Sequence, residues 1–593
     1  MGGSVIQDVR YALGISWKYS KKYVICSATI KMLEYFGWVF YSSVFLRYVI
    51  NAMESNVSFP RMMIYLGSCV LVFASISLFN NYYNECFMPM FRAKFSDYLN
   101  GMIITKARNI DLKCYDDEEF YNKYTLAIES ADSKIEAVVN DFMSTLFGGI
   151  ATVVIFFIMF DIDHFVCLFC IFPIIGNFVF GKMIGIIVYK RNKDSAPYNR
   201  RIEYLNRVMY LREYAKEIRL SNVFSLLSKQ YDESVEGIRK VCKKGSVKAV
   251  FLHVLKSLFT FSFIFEGVLL YGAYRAIIST SISFAVFSVL TGMMVSASLI
   301  MIGCANSITS LLTNGMFVRN MKGFMEYVPL IPENQDGIIP DSKIEKIEFR
   351  NVSFSYNDSE IIKDVSFVIE GNKSYAIVGH NGAGKSTLIK LLLRFYDPSE
   401  GTILLNGTDI KEYNLRAYRD LFATAFQDQR IFSMSIKDNV SMYMPEERIE
   451  NDVERALKLA GVYDRIEDLP NGVDSILTKE FDENGIQLSG GEFQKITVSR
   501  AFATNCPIKI FDEPSSALDP ISEGELFESI QENGKNRILI FVSHRLSSVK
   551  NVDGVFVLDD GRLLEEGTHK ELLKRDGVYS DMYKKQAEKY MVV

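Results

Sequence analysis

Apolar and polar positions divide the chain into two unlike parts. Six long apolar segments, near 23–49, 62–86, 142–160, 164–189, 250–274 and 282–312, fill the first part. Each supplies the roughly 20 residues that a helix needs to cross hydrocarbon. Six such runs are too many for the core of one soluble domain, so the pattern predicts an α-helical, six-span transmembrane domain. The connections orient it. The N-terminal segment, 87–141 and above all 190–249 are rich in Lys and Arg, whereas 50–61, 161–163 and 275–281 are short and nearly free of them. Basic loops stay inside, so the N-terminus, both long loops and everything after the sixth span are expected in the cytoplasm of a multi-pass protein of the cell (plasma or inner) membrane.

Finer patterning adds detail. In Met1 to Lys22 the residues Ile6, Val9, Leu13 and Trp17 recur at helical spacing, with Lys18, Lys21 and Lys22 behind them. Asp8 and Arg10 interrupt the segment, which argues against a signal peptide and for a helix lying on the inner membrane surface. In 190–249 the series Val208, Leu211, Ala215, Ile218 keeps helical period, so the membrane helices are expected to continue into the cytosol. Lys113 to Tyr121 in the first loop reads as another short helix. Lys31 and Glu34 lie three residues apart in the first span and can neutralise each other on one helix face, while Glu266 in the fifth has no partner nameable from sequence.

Around Pro329, Pro332, Gly337 and Pro340 the apolar runs give way to a turn-rich linker. From Ile344 onward apolar stretches alternate with helical patterns, as in an α/β domain with a largely parallel sheet. The expected division is 1–328 transmembrane, 329–343 linker and 344–593 α/β domain. A net charge of −4 over 593 residues points to no partner, and no basic tract with interleaved aromatics suggests nucleic acid. The nine cysteines are scattered and read as small apolar residues; Cys167 and Cys170, with His164 nearby, have redox-motif spacing but sit in an apolar run.

Candidate chemistry gathers in the α/β part. Gly379-His380-Asn381-Gly382-Ala383-Gly384-Lys385-Ser386-Thr387 follows the apolar run Tyr375–Val378 and precedes Leu388–Leu393, a strand, a glycine-rich turn and a helix starting at the lysine. Such a turn aims successive N–H groups into one anion-sized hollow, aided by the helix dipole. Lys385 is placed for the β- and γ-phosphates and Ser386 for Mg²⁺. Ile508–Glu513 reads as a strand ending in two carboxylates, with Asp512 for the metal shell and Glu513 to activate water. Lys509 is unusual in such a strand and suggests an edge or polar neighbours. The strand Ile538–Ser543 ends at His544, a donor to a γ-phosphate. Gln427 follows Phe422–Phe426 and can bridge the metal site to whatever touches its loop, and Tyr356 can stack on a purine. Leu488-Ser489-Gly490-Gly491-Glu492 opens a further helix with a serine cap, a second anion-binding terminus. One phosphate tail does not need two such termini in one chain, whereas two copies packed head to tail would use both.

Over nearly all of 344–580 this ordered set resembles the nucleotide-binding domain of ATP-binding cassette (ABC) transporters, and the chain as a whole resembles a half-transporter of the multidrug, lipid and peptide exporter type. Gly379–Thr387 is similar to the Walker A loop, Gln427 to the Q-loop, Leu488–Glu492 to the signature, Ile508–Glu513 to Walker B, Ser516–Asp519 to the D-loop and His544 to the switch histidine. Tyr356 matches the adenine-stacking aromatic. Met209–Arg219 resembles the second coupling region, and Glu480–Gly485 the short acidic loop before the signature. Glu492 stands where Gln is commoner, a change the helix dipole favours.

The resemblance implies an ATP hydrolase, with ATP and Mg²⁺ as cofactors. Glu513, His544 and Gln427 would be catalytic, and Ser386, Gln427 and Asp512 would hold the metal. Tyr356, Gly379, Asn381, Gly382, Gly384, Lys385, Ser386, Thr387, Ser489, Gly490 and Gly491 would bind nucleotide. Because Glu513 and His544 are both present, a homodimer in the lipid bilayer is expected, although pairing with a related half-transporter is open. The expected function is ATP-driven export of an amphipathic small molecule, lipid or peptide. An importer on the same fold, as for some iron chelates, and an ATP-gated channel or regulator are the alternatives.

Overall fold

A computed structural model describes residues 2–55, 57–116, 118–211, 214–259, 262, 266–279, 282–357, 359–442 and 449–591. The chain divides into two compact units: Met1–Ile110 with Tyr115–Val328, and Asp111–Cys114 with Pro329–Val593.

The first unit is helical. In order come α1 (Gly2–Tyr19), α2 (Lys21–Val39), α3 (Leu46–Glu54), α4 (Phe59–Tyr82), α5 (Met88–Arg108), α6 (Leu112–Asp116), α7 (Glu118–Ile162), α8 (Val166–Tyr210), α9 (Ala215–Leu220), α10 (Val223–Ser257), α11 (Gly267–Ala273) and α12 (Phe284–Met325). Of these, most of α6 groups with the second unit. Wider π-helical turns join α2 to α3 at Phe40–Phe45 and α4 to α5 at Tyr83–Phe87. Ser20 caps α2 by accepting from the Tyr23 N–H, and Ser283 caps α12 by accepting from that of Val286.

Within this unit α12 packs along α7. One apolar cluster gathers Tyr23, Phe91, Phe95, Val139 and Phe324, with the Tyr23 and Phe91 rings stacked 4.0 Å apart. A second joins Ala151, Ile155 and Met159 to Leu290, Met293 and Met294. Among the described residues, three helical stretches are long and apolar enough to cross a membrane: Phe59–Arg108, Ala131–Asp161 and Val286–Met325. Only 6% of the most apolar window of Phe59–Arg108 is buried, so its apolar side chains face outward and need a cover other than this chain's core.

One expectation changes in this unit. The helical period through Leu211 does not make one continuous helix: α8 ends at Tyr210, Leu211 is extended, and α9 begins at Ala215. Ile218 nevertheless packs against Leu205, Val208 and Leu227, so a short helix folded back satisfies the same apolar spacing. Arg212 and Glu213 lie outside the described residues, as do the side chains of Cys167 and Cys170. Lys31 does pair with Glu34, at 2.8 Å, while Glu266 is exposed.

The second unit holds two sheets. Strands β1 (Lys346–Tyr356), β2 (Ser359–Glu370), β4 (Glu400–Leu405) and β5 (Thr408–Asp409) form an antiparallel sheet ordered β2-β1-β4-β5. The six-stranded sheet is ordered β10-β9-β3-β8-β7-β6, from β3 (Ser374–Gly379), β6 (Phe422–Ala425), β7 (Ile508–Asp512), β8 (Ile538–Val542), β9 (Gly554–Asp559) and β10 (Arg562–Gly567). All its pairings are parallel except β10 with β9. The helices are α13 (Lys385–Leu392), α14 (Leu415–Arg419), α15 (Ile436–Ser441), α16 (Ile449–Leu459), α17 (Tyr463–Glu467), α18 (Gly490–Ala503), α19 (Pro520–Asn533), α20 (His569–Arg575) and α21 (Val578–Met591).

The parallel strands are mostly apolar, as strands buried on both faces must be, with the Asp512 carboxylate at the end of β7; β8 and β7 are buried at every position. That makes Lys509 the exception inside β7. It lies on β7, flanked by β6 and β8, and is 1% exposed. It is therefore not at a sheet edge. The reason is polar: its Nζ donates to Asn533 Oδ1 at 2.6 Å, at the C-terminal end of α19 where a cation is favoured.

Candidate active site

Parallel register builds the site. Ile377 of β3 lies opposite Val542 of β8, and Val542 opposite Asp512 of β7. The carboxyl ends of β3, β6, β7 and β8 therefore share one edge, where open α/β sheets hold their ligands. The loops leaving that edge carry Gly379–Gly384, Gln427, Glu513 and His544.

Glycine is required at two points in the first loop. A Cβ on Gly379 would collide with the Leu558 carbonyl oxygen of neighbouring β9. Gly384 caps α13 at φ +98, a left-handed conformation unfavourable for other residues. Asn381 and Gly382 are exposed at the loop tip, and Ser386 and Thr387 sit in the first turn of α13. Lys385 is buried, and its Nζ donates to the carbonyls of Gly379 and His380, each at 2.9 Å. Burial lowers its pKa, while Glu513 and Asp512 act to raise it.

Behind the loop, Ser386 Oγ donates to Asp512 Oδ2 at 3.2 Å. Burial, with a smaller contribution from Glu513, raises the Asp512 carboxyl to about 6. Glu513 is held from both sides: Gln427 Nε2 donates to Oε2 and His544 Nδ1 faces Oε1, each at 2.8 Å. Its backbone is left-handed, φ +51, strain of the kind that clusters at functional sites. A hydroxyl beside a buried, undercompensated carboxylate is an all-oxygen donor set and fits Mg²⁺.

Gln494 is a residue the sequence reading passed over. From α18 its Nε2 donates to the Glu513 carbonyl at 2.9 Å and to Ser516 Oγ at 3.0 Å, while its Oε1 accepts from the Ala517 N–H at 2.7 Å. It pins the left-handed residue and the following turn to the helix that Ser489 opens. An amide in the second turn of that helix was the available signal.

Not every candidate joins this cluster. Ser489, Gly490 and Gly491 form the N-terminus of α18, where Ser489 and Glu492 close a capping box. Backbone donation from Ser489 holds the Glu492 carboxyl below its usual range, helped by Arg465 at 3.1 Å. Among the described residues no hydrogen bond links this terminus to Gly379–Thr387. Tyr356 is half-buried, its ring nearly perpendicular to Phe354 and Tyr396 at 4.9 and 5.2 Å.

The family model described as ABC transporter matches residues 362–516. An ATP-dependent lipid A-core flippase of Yersinia pestis bv. Antiqua (strain Antiqua) is 37% identical over 279 residues, 46% of this chain and 47% of that protein. A protein of the same description from Photobacterium profundum is 38% identical over 242 residues, 40% of this chain and 41% of its own. The chain thus matches about half the length of these relatives. A solved structure of a bacterial Atm1-family ABC exporter with ATP bound superposes with a TM-score of 0.79, covering 95% of this chain and 98% of that one at 23% identity.

Proposed function

Starting from a chain with the fold of an exporter-type ABC half-transporter, we propose that this protein is an ATP-driven membrane transporter that exports an amphipathic molecule. The observation that carries the reading is the meeting of Lys385, Ser386, Asp512, Glu513, Gln427 and His544 at one sheet edge. The proposed division is 1–328 as a six-span membrane domain, 329–343 as linker and 344–593 as the ATPase, with the N-terminus and ATPase in the cytoplasm.

In this reading Lys385 leaves the Gly379 and His380 carbonyls for the β- and γ-phosphates. Thr387, Asn381 and the loop N–H groups hold the phosphate tail, and Tyr356 stacks on the base. Ser386, Asp512 and Gln427 would hold Mg²⁺, which supplies charge neutralisation on the phosphate oxygens. Glu513 accepts the proton of the attacking water. Gln427 and His544, both on its carboxylate, fix its direction, and they stand where the one would also reach the metal and the other the γ-phosphate. Ser489, Gly490 and Gly491 cover the nucleotide of a second copy, so the working unit is a homodimer in the bilayer.

The name of the Yersinia relative supports an amphipathic lipid as the first substrate class to try. ATP-dependent accumulation of a labelled lipid, drug or peptide in inverted but not right-side-out vesicles is the expected result. Accumulation only in right-side-out vesicles would replace export by import.

A further inference from the structure

One face of α1 is used by neither the core nor the ATP site. Asp8, Val9, Ala12 and Ser16 are buried on the side that packs against α7 and α12. Ile6, Arg10, Trp17 and Lys18 are exposed. At helical periodicity these two sets fall on opposite sides of α1. Lys21 and Lys22, exposed in the first turn of α2, extend the outer set, with Lys21 Nζ 6.0 Å from the Trp17 ring centroid.

The charge on that face is unbalanced. Asp8, the one acid in α1, points inward, accepting from Arg319 Nε at 3.1 Å and Nη2 at 2.6 Å. No acid occupies the first turn of α2. Among the described residues none of Arg10, Lys18, Lys21 and Lys22 belongs to an ion pair. The pairing of buried Asp8 with Arg319 also fixes the roll of α1, because turning the cations inward would break it.

We propose that Ile6, Arg10, Trp17, Lys18, Lys21 and Lys22 form a recognition surface for anionic lipid headgroups at the cytoplasmic face of the bilayer. The inference rests on the membrane reading above and adds the lipid class. Four like charges with no acid among them complement an anionic surface. Trp17, 46% exposed, and Ile6, 72% exposed, supply the apolar contact that seats a helix at headgroup depth. A soluble acidic partner would match the charges but leave these apolar groups without a reason to be exposed beside them.

The test uses the full-length chain carrying Trp38→Phe, which leaves Trp17 as its single tryptophan. It is reconstituted into phosphatidylcholine nanodiscs containing, at matched mole fraction, either phosphatidylglycerol or phosphatidylcholine brominated near the headgroup end of the acyl chain. Brominated phosphatidylglycerol is expected to quench Trp17 at least about twofold more strongly, because the four cations enrich it locally. The preference should vanish at high salt and in the combined variant Arg10→Gln, Lys18→Gln, Lys21→Gln, Lys22→Gln, whose exposed positions leave the fold intact. Equal quenching by both lipids, as expected if the surface docks an acidic protein segment, would overturn the proposal. So would an undiminished preference in the combined variant, or no quenching by either lipid. The readout needs no turnover, so absence of ATPase activity in the same nanodiscs would count against the transport reading and leave this one standing.

Discussion

At the scale of single residues, Glu513 and Lys509 show how burial and neighbours set chemistry. Gln427 and His544 occupy both oxygens of the Glu513 side chain, and Gln494 holds its backbone carbonyl. Glu513→Gln keeps the shape and removes the proposed base. ATP binding is expected to survive while hydrolysis falls by about 10²-fold or more; ordinary turnover in that variant would reassign the base. Lys509 carries the opposite lesson. Burial first, then the charge of Arg537, lowers its pKa from 10.5 to about 7. Below about 7 the folded protein bears the full cost of a buried ammonium. Between about 7 and 10.5 the unfolded chain binds the extra proton, so this residue makes stability rise with pH over that window. Lys509→Met is therefore expected to raise the melting temperature most at pH near 6 and least at pH near 9, the whole range spanning on the order of a few kcal/mol. A pH-independent difference between variant and wild type would contradict the assignment.

At the scale of elements, one polar tie binds the end of α7 to α11 and the turn after it. Asp163 is buried just past α7 and accepts from the Phe165 N–H at 2.9 Å and from Tyr271 Oη at 3.3 Å, with Arg275 Nη2 3.5 Å away. Asp163→Asn keeps the size and removes the charge facing Arg275. A loss on the order of 1–3 kcal/mol is expected, seen as a lower melting temperature of the detergent-solubilised protein. Adding Arg275→Gln should cost less in that background than alone, and strict additivity would mean that the two do not interact. Helix periodicity located the segments on either side of this tie. It carried no sign that Asp163, just past α7, and Arg275, in the helical turn after α11, would meet.

At the scale of the whole molecule, the helix terminus at Ser489 is the part of the proposed nucleotide site that makes no hydrogen bond to Gly379–Thr387 among the described residues. If a second copy supplies it, Lys385→Ala and Ser489→Arg should each abolish nucleotide trapping alone. Co-expressed with different tags and purified as a mixed pair, they should regain trapping, because one composite site then joins an intact loop to an intact signature. A mixed pair as inert as its parents would argue for a site within one chain. The same scale explains the outward apolar surface of the most apolar window within Phe59–Arg108, which a soluble monomer would not keep.

What the sequence by itself determined is what adjacent residues can encode: apolar segments of spanning length, the strand-turn-helix around Lys385, the cap at Ser489 and the carboxylates ending β7. Spacing and side-chain chemistry suffice for these, because the groups concerned lie within a few residues of one another. Only the tertiary structure decided which distant groups meet. Glu513 reaches Gln427 across 86 positions, Tyr271 reaches Asp163 across 108, and Arg319 reaches Asp8 across 311. Parallel-strand register and helix packing set those meetings, and the low-dielectric surroundings they create decide what each charge costs. Lys509, read from sequence as a sign of a sheet edge or of polar neighbours, is for that reason a fully buried residue whose polar neighbour is Asn533.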